Sequence, residues 1–594
     1  MSHSDDGLTD DDARARLRRT VYALLIVASA AVMTGRICAV GSLDKLALEK
    51  FRVGQHLKRE RAKLQKEGLD TEAITAKLDE LRPRVEVRYR YNRPFLSSND
   101  RSRWCTIRAL VEHGTYEIDA VVAEQNWDTI DMVKHVGDDG RPHLYSSKPT
   151  LLPTILAGEY WVIHRLTGRT LGTDPFLIGR VMLVTINVAG LAIMFFLLSR
   201  IAERYGTTDG GRLFVVVAAV FGTLLTTFAI VVNNHLIGAV SSLVALYASL
   251  RIWYDGQRQM RYFVVAGLAA AFTAANELPA LSFFAMLSAG LLWRAPRQTL
   301  IAYVPAAAVV VAAFFGTQYV AHDSLRPAYM HRHPGEKLAS IDASLKDDLA
   351  QATVSDALRT ALRESDVEVS AEATVRAETR LSHTADDDAG NQGWVIEDDA
   401  LQYVVMTDGD ALNVHAWDNW YDFTYRRHPK DKLRQSYWSR ISARSAIDRG
   451  EADAGKYALH VLVGHHGIFL LTPMWLLSVA GVVLLWRGEA KLRALAVLIS
   501  VTSVVCLVFY LARPAEDRNY GGGTSGFRWM LWFAPMWLVA MLPAADRLLR
   551  SRRGACLGLV LLGLSIFSAS YPIWNPWRHP WVWNLMEHAG LPVP

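Results

Sequence analysis

A carboxylate, an ammonium and a guanidinium, each beside an apolar stretch, are the side chains here whose types suit a charged, phosphate-bearing ligand. Asp100 follows Asn99 in "FLSSNDRSRWCTIRALVEHGTYEID", Phe95 to Asp119. From Arg103 to Val111 the order puts Trp104, Ile107, Leu110 and Val111 on one helical face, so Asp100 stands near that helix's start. There it is either an N-cap, comfortable at the positive end of the helix, or the front of a site. Lys148 sits in "YSSKPTLLPTILAGEYW", where a polar segment turns into a short apolar one. An ammonium at that depth can meet a phosphate at headgroup level; the plainer alternative is a lysine snorkelling to the interface. In "EDRNYGGGTSGFRWMLWFAPMW" four glycines let the backbone approach a ligand, and Arg528 follows as the next helix begins. Backbone N–H groups and an arginine there favour an anion. A flexible loop with a positive anchor explains the glycines less well.

Further polar residues stand at the ends of apolar runs. "VVNNHLIG" carries Asn233, Asn234 and His235, and "AANELPAL" carries Asn276 and Glu277. An ionisable group at such depth is costly and is a functional candidate, unless Glu277 simply faces outside water. "VGHHGIFLLTP" brings His465 and His466 to another such end. Adjacent histidines do not readily ligate one metal from a helix, and neither HxxxH nor HExxH spacing occurs. No metal is expected, and no cofactor.

These residues need a membrane framework to hold them. The chain has 594 residues, 51% hydrophobic and 21% charged, with mean hydropathy above zero. Runs such as "LFVVVAAVFGTLLTTFAIVV" are nearly free of charge and long enough to cross a bilayer as helix. The four cysteines are scattered and form neither a zinc ribbon nor a disulfide framework. Candidate spans are 20–40, 176–199, 213–234, 236–252, 262–277, 279–293, 299–320, 467–486, 493–512, 529–546 and 554–572. The expected fold is therefore an all-α polytopic membrane protein of about eleven transmembrane helices. The first run follows "RARLRR" and lacks a clean cleavage site, so it reads as an uncleaved helix.

Placing the N terminus in the cytoplasm makes every inside turn short and basic, from Arg14, Arg16, Arg18 and Arg19 to Arg550, Arg552 and Arg553. The C terminus is then exoplasmic. The expected organisation is a cytoplasmic tail 1–19, a first helix 20–40, an exoplasmic loop 41–175 with interfacial helices and a core 176–320. An exoplasmic insertion 321–466, C-terminal helices 467–572 and an interfacial tail 573–594 follow. The charged start of the first loop reads as a solvated stalk, with an amphipathic hairpin as the alternative. Within the insertion an acidic piece, Ile341 to Asp388, has weak helical periodicity, and "WVIEDDALQYVVMTDGDALNVHAWDNWYDF" alternates like strand, pointing to a small α/β unit.

An acidic residue ahead of an interfacial helix, a Tyr-Ser-x-Lys-Pro element at Tyr145 to Pro149 and a late "YGGGTSGFRW" together resemble the GT-C superfamily of membrane glycosyltransferases. The resemblance is to its protein-mannosyltransferase and aminoarabinose-transferase branch, and "GHHGIFLLTPMW" is similar to a segment of its bacterial members. Asn99-Asp100 stands where that branch has Asp-Glu, Thr150 where it has a second proline, and Phe527 where it commonly has proline. The resemblance implies sugar transfer from a polyprenyl-phosphate donor to an acceptor hydroxyl at the outer face of a cell's inner membrane, surrounded by membrane lipids. Asp100 would be the general base, Lys148 and Arg528 would hold the donor phosphate, and Glu277, His235, Asn99 and His465 would rank second. The acceptor, be it glycan, lipid or protein, is open, and a nucleic acid is not expected. A transporter or flippase of lipid-linked intermediates is the alternative; it would depend on Glu277 more than on Asp100.

Overall fold

The computed structural model describes residues 10–39, 45–89, 95–351, 353–378, 393–398, 401–426, 433–439 and 444–593. Among them seven helices are long and apolar enough to cross a membrane: Asp11–Ala39, Pro175–Tyr205, Asn234–Trp253, Pro296–His322, Ala490–Leu511, Arg528–Leu548 and Arg552–Ser570. They make the chain a multi-pass membrane protein. The count of about eleven is not confirmed among the described residues, where four expected spans are shorter or broken. Met260–Asn276, Leu281–Arg294 and Trp475–Trp486 are helices of 17, 14 and 12 residues.

The fourth case has a clear physical cause. The run expected to span 213–234 is helical only over Asp209–Phe221; a turn and a short 3₁₀ segment, Thr227–Ile230, follow. Backbone that leaves the helix inside an apolar setting must find other partners, and buried side chains from other elements supply them. Arg36, on the first helix, donates to the carbonyls of Thr226 at 2.9 Å and Thr227 at 3.2 Å. Asn187 Nδ2 donates to those of Ala229 and Val231, each at 2.8 Å. Asp100 accepts the Val232 N–H at 2.9 Å.

The charged start of the first loop forms two helices, Lys45–Lys66 and Thr71–Tyr89, packed through Val53, Leu57 and Val85. The amphipathic hairpin is what forms, and the stalk reading is set aside. Beyond Ser98–Glu112 the loop makes a β-hairpin, Met132–Val136 with Pro142–Ser146, which an all-α reading lacks.

The second large segment folds around a five-stranded antiparallel sheet. Its strands are Arg332–Asp342, Thr374–Glu378, Gly393–Asp398, Leu401–Asp408 and Ala411–Asn419, with the first paired to the last and the second on the far edge. Leu358 and Leu362 of the helix Asp356–Glu364 pack on one face with Ile396, Val405, Leu412 and Val414. The alternating stretch thus gives three strands. The acidic piece gives two short helices and one strand, and its residues 352 and 379–388 lie outside the described residues.

Candidate active site

One cavity of about 760 Å³ lies where the first loop, the sheet segment and the helix ends meet. Seven of the residues singled out in the sequence line it: Asn99, Lys148, Asn234, His235, Asn276, Glu277 and Arg528. Asp100 and His465 do not.

The hairpin register explains Lys148. Met132 pairs with Ser146, so the residues just beyond each strand meet, and Lys148 Nζ donates to Asp131 Oδ1 at 2.7 Å. Burial pushes the Lys148 ammonium down to about 8, with the Asp131 charge opposing. Asp131 Oδ2 has no hydrogen-bond partner among the described residues.

A second chain of contacts crosses the cavity wall. Asn233 caps the Asn234–Trp253 helix by accepting the His235 N–H at 2.7 Å, which fixes the two residues that follow it. Asn234 Oδ1 accepts from Arg103 at 2.6 Å, and its Nδ2 donates to Glu277 at 2.8 Å. His235 meets Glu277 through Nδ1 and Arg528 through Nε2, the latter at 2.9 Å. A guanidinium only donates, so His235 Nε2 accepts and Nδ1–H donates to Glu277. The row Arg103–Asn234–Glu277–His235–Arg528 is thereby locked in one donor order.

Arg528 is aimed by the glycine loop. Its Nε donates to the Gly521 carbonyl at 2.8 Å, and Gly521 has φ +90°, with a Cβ there falling 3.2 Å from the arginine's own Cγ. Glycine is needed on both counts. Opposite, Arg332 and Arg513 each bind Asp517 at 3.0 Å. Against burial, these two cations hold the Asp517 carboxyl below its ordinary value.

The remaining wall is apolar. Leu278, Leu281, Val311, Phe315 and Phe509 line the cavity, yet Leu281 is 51% and Phe315 42% exposed. The cavity is cationic within and apolar toward an open side that faces out between helices.

Asp100 is elsewhere. Ser97, not Asp100, caps the Ser98–Glu112 helix, accepting the Asp100 N–H at 3.0 Å. The Asp100 carboxylate turns into the core and accepts from Trp104 Nε1 at 2.9 Å as well as from Val232. Burial pushes its carboxyl up to about 7, against the Val232 hydrogen bond and the nearby Arg103 charge. It ties the broken apolar run to the loop helix, one residue ahead of the Asn233 cap. His465 stacks on His460 at 4.0 Å between ring centroids and lies within 4.8 Å of Tyr520 and Trp583. That puts it in an aromatic cluster behind the glycine loop.

No protein-family model matches this chain, and no curated protein does. Among solved structures it is similar to the apo crystal structure of the Archaeoglobus fulgidus oligosaccharyltransferase, with TM-score 0.33 and 10% identity. The alignment covers 81% of this chain and 52% of that one, so the match spans about half the length of the archaeal enzyme.

Sequence reading missed Arg103, Asp131, Arg332, Arg513 and Asp517. Arg513 and Asp517 carry a signal, since an arginine four residues before an aspartate can pair on one helical face. Asp131 carries none, because only the hairpin register sets it against Lys148.

Proposed function

We propose that this chain is a membrane glycosyltransferase of the GT-C kind, moving a sugar from a polyprenyl-phosphate donor to an acceptor hydroxyl. The observation that carries the reading is the two-part cavity, with cations inside and a half-open apolar wall. A lipid phosphate needs both: guanidinium and ammonium groups for the anion, and an apolar path by which the chain stays in the bilayer. The polyprenyl chain would lie along Leu281, Phe315 and Phe509, and the phosphate between Lys148 and Arg528.

In the step itself the acceptor oxygen attacks the anomeric carbon from the face opposite the phosphate, inverting it. The C–O bond to phosphate breaks and its electron pair leaves with polyprenyl phosphate, whose charge Lys148 and Arg528 neutralise. The acceptor proton goes to a carboxylate within reach. Asp131 suits this role better than Asp100, since it lines the cavity and keeps one oxygen without a hydrogen-bond partner among the described residues. Glu277 and His235 hold Arg528 and Arg103 in place. Arg332 and Tyr421, from the 321–466 segment, border the cavity and would meet the acceptor. The cavity would open at the outer face of the inner membrane, with the N terminus cytoplasmic, a reading that the basic turns at the opposite helix ends support.

The test is release of free polyprenyl phosphate from polyprenyl-phosphate sugars by the purified protein in lipid nanodiscs. Release by wild type that Arg528→Gln lacks supports the reading. No release with any polyprenyl donor, alongside lipid translocation that Glu277→Gln abolishes, would put a transporter in its place.

A further inference from the structure

The Asn234–Trp253 helix ends about 30 Å from the cavity, taking 1.5 Å per residue, and a second polar hollow opens there. It has a volume of about 210 Å³, and Arg19, Arg200, Arg204 and Arg251 converge on it from three helices, over a floor that includes Ile201 and Leu250. Glu203, which lines it, and Asp255, bound by two of its arginines, are already matched. Glu203 receives Arg18 Nε at 2.9 Å, Arg18 Nη2 at 3.0 Å and the Tyr22 hydroxyl at 2.7 Å. Asp255 receives Arg204 and Arg251, each at 2.5 Å. Arg204 and Arg251 share one carboxylate, which leaves a positive charge there, and the rest of the excess is on Arg19 and Arg200, which have no hydrogen-bond or ion-pair partner among the described residues. Arg251 Nε is buried and likewise unpartnered.

We propose that this hollow binds a phosphate group, presented by an anionic phospholipid headgroup. Forked guanidinium groups suit a phosphate's several oxygens, and basic hollows between helix ends are where lipid phosphates bind membrane proteins. The helix that brings Arg200 continues the lipid's path. Phe196, one turn earlier on the same face, is 56% exposed, and Ile193 beside it is 53% exposed, so an acyl chain can lie along them. A soluble phosphate would have no use for that strip. The proposal rests on the chain spanning a bilayer and not on the transferase reading.

The test is native mass spectrometry of the purified protein in detergent, titrated with dioleoyl-phosphatidylglycerol or dioleoyl-phosphatidylcholine, and separately with inorganic phosphate. The double variant Arg19→Gln/Arg200→Gln removes the two unpartnered charges. Arg294→Gln/Arg297→Gln removes the same charge at the ends of two other helices, outside the hollow. The expected result is phosphatidylglycerol binding over phosphatidylcholine, weakened at least about tenfold in the first variant and less than about twofold in the second. Equal losses in both variants would show diffuse attraction and overturn the site, as would no preference for the anionic lipid. Inorganic phosphate binding that Arg19→Gln/Arg200→Gln abolishes, without any lipid preference, would overturn the lipid source.

Discussion

Replacing Asp100 and Asp131 separately by asparagine tests which carboxylate serves the acceptor and what the other one does. Asp100→Asn keeps an oxygen that can still accept from Trp104 and Val232, whose bonds to Asp100 are both 2.9 Å. It removes a charge that burial disfavours. The carboxyl is raised from 3.8 to about 7, which corresponds to roughly 4 kcal/mol favouring the protonated form. The sign follows from proton counts: between those values the folded chain binds more protons than the unfolded one, so stability falls as pH rises. The variant lacks that fall but buries an amide N–H₂ where an oxygen stood, at a cost of about 1–3 kcal/mol at every pH. Asp100→Asn should therefore unfold below wild type at pH 4 to 5 and above it by pH 8, as read by thermal midpoints in one detergent. Its turnover, followed as polyprenyl phosphate release, should stay within about fivefold of wild type, since only charge-assisted hydrogen bonds are weakened. Asp131→Asn should lose about 10²–10⁴ in turnover if it removes a general base. A folded Asp100→Asn with turnover abolished, or a midpoint difference that stays flat with pH, would refute this division of roles.

Three further outcomes follow from the same geometry. Lys148 loses its charge as pH rises through about 8, so the KM for the donor should climb on the alkaline side, and Lys148→Arg should shift that limb upward by one pH unit or more. Arg528→Gln should lower turnover by about 10²–10³, measured at saturating donor, because it removes a charge meant for the leaving phosphate. Gly521→Ala forces a side chain into φ +90° and against Arg528; turnover should fall with little loss of expressed protein, and a variant of normal activity would detach Arg528 from the loop.

What could be read from the sequence was what local pattern controls. The long apolar runs give spans, alternation at 393–419 gives strands, and the glycines before Arg528 mark the loop that aims it. Lys148, His235, Glu277 and Arg528 were legible because each interrupts or abuts an apolar run, where a polar group needs a reason. Asp131 was not, because its place depends on the register of a hairpin whose strands are five residues long. Asp100 was visible as a residue, but the direction of its carboxylate was not. A carboxylate in the first turn of a helix can face solvent, a site or the core, and only the tertiary partner Val232 decides.

That partner also explains why the apolar run from Leu213 to Val232 is broken where it is. A stretch from Leu213 to Val232 with hardly a polar side chain has every local reason to be one helix. It stops at Phe221 because other elements bring hydrogen-bonding groups to its backbone: Arg36 from the first helix, Asn187 from the Pro175–Tyr205 span and Asp100 from the loop. Each of the three is buried, and each would be costly without this backbone to bind. The break and the buried polar groups therefore satisfy one another. Its consequence for the site is positional: the chain arrives extended at Asn233, which can then cap a new helix and turn Asn234 and His235 toward Glu277, Arg103 and Arg528. An unbroken helix would have kept that backbone bonded to itself, leaving no free N–H on His235 for Asn233 to cap and no start of a helix at the cavity wall. In an apolar run, then, the signal for a break lies not in the run but in an arginine or asparagine inside a neighbouring one, and Arg36 and Asn187 were both there to be read.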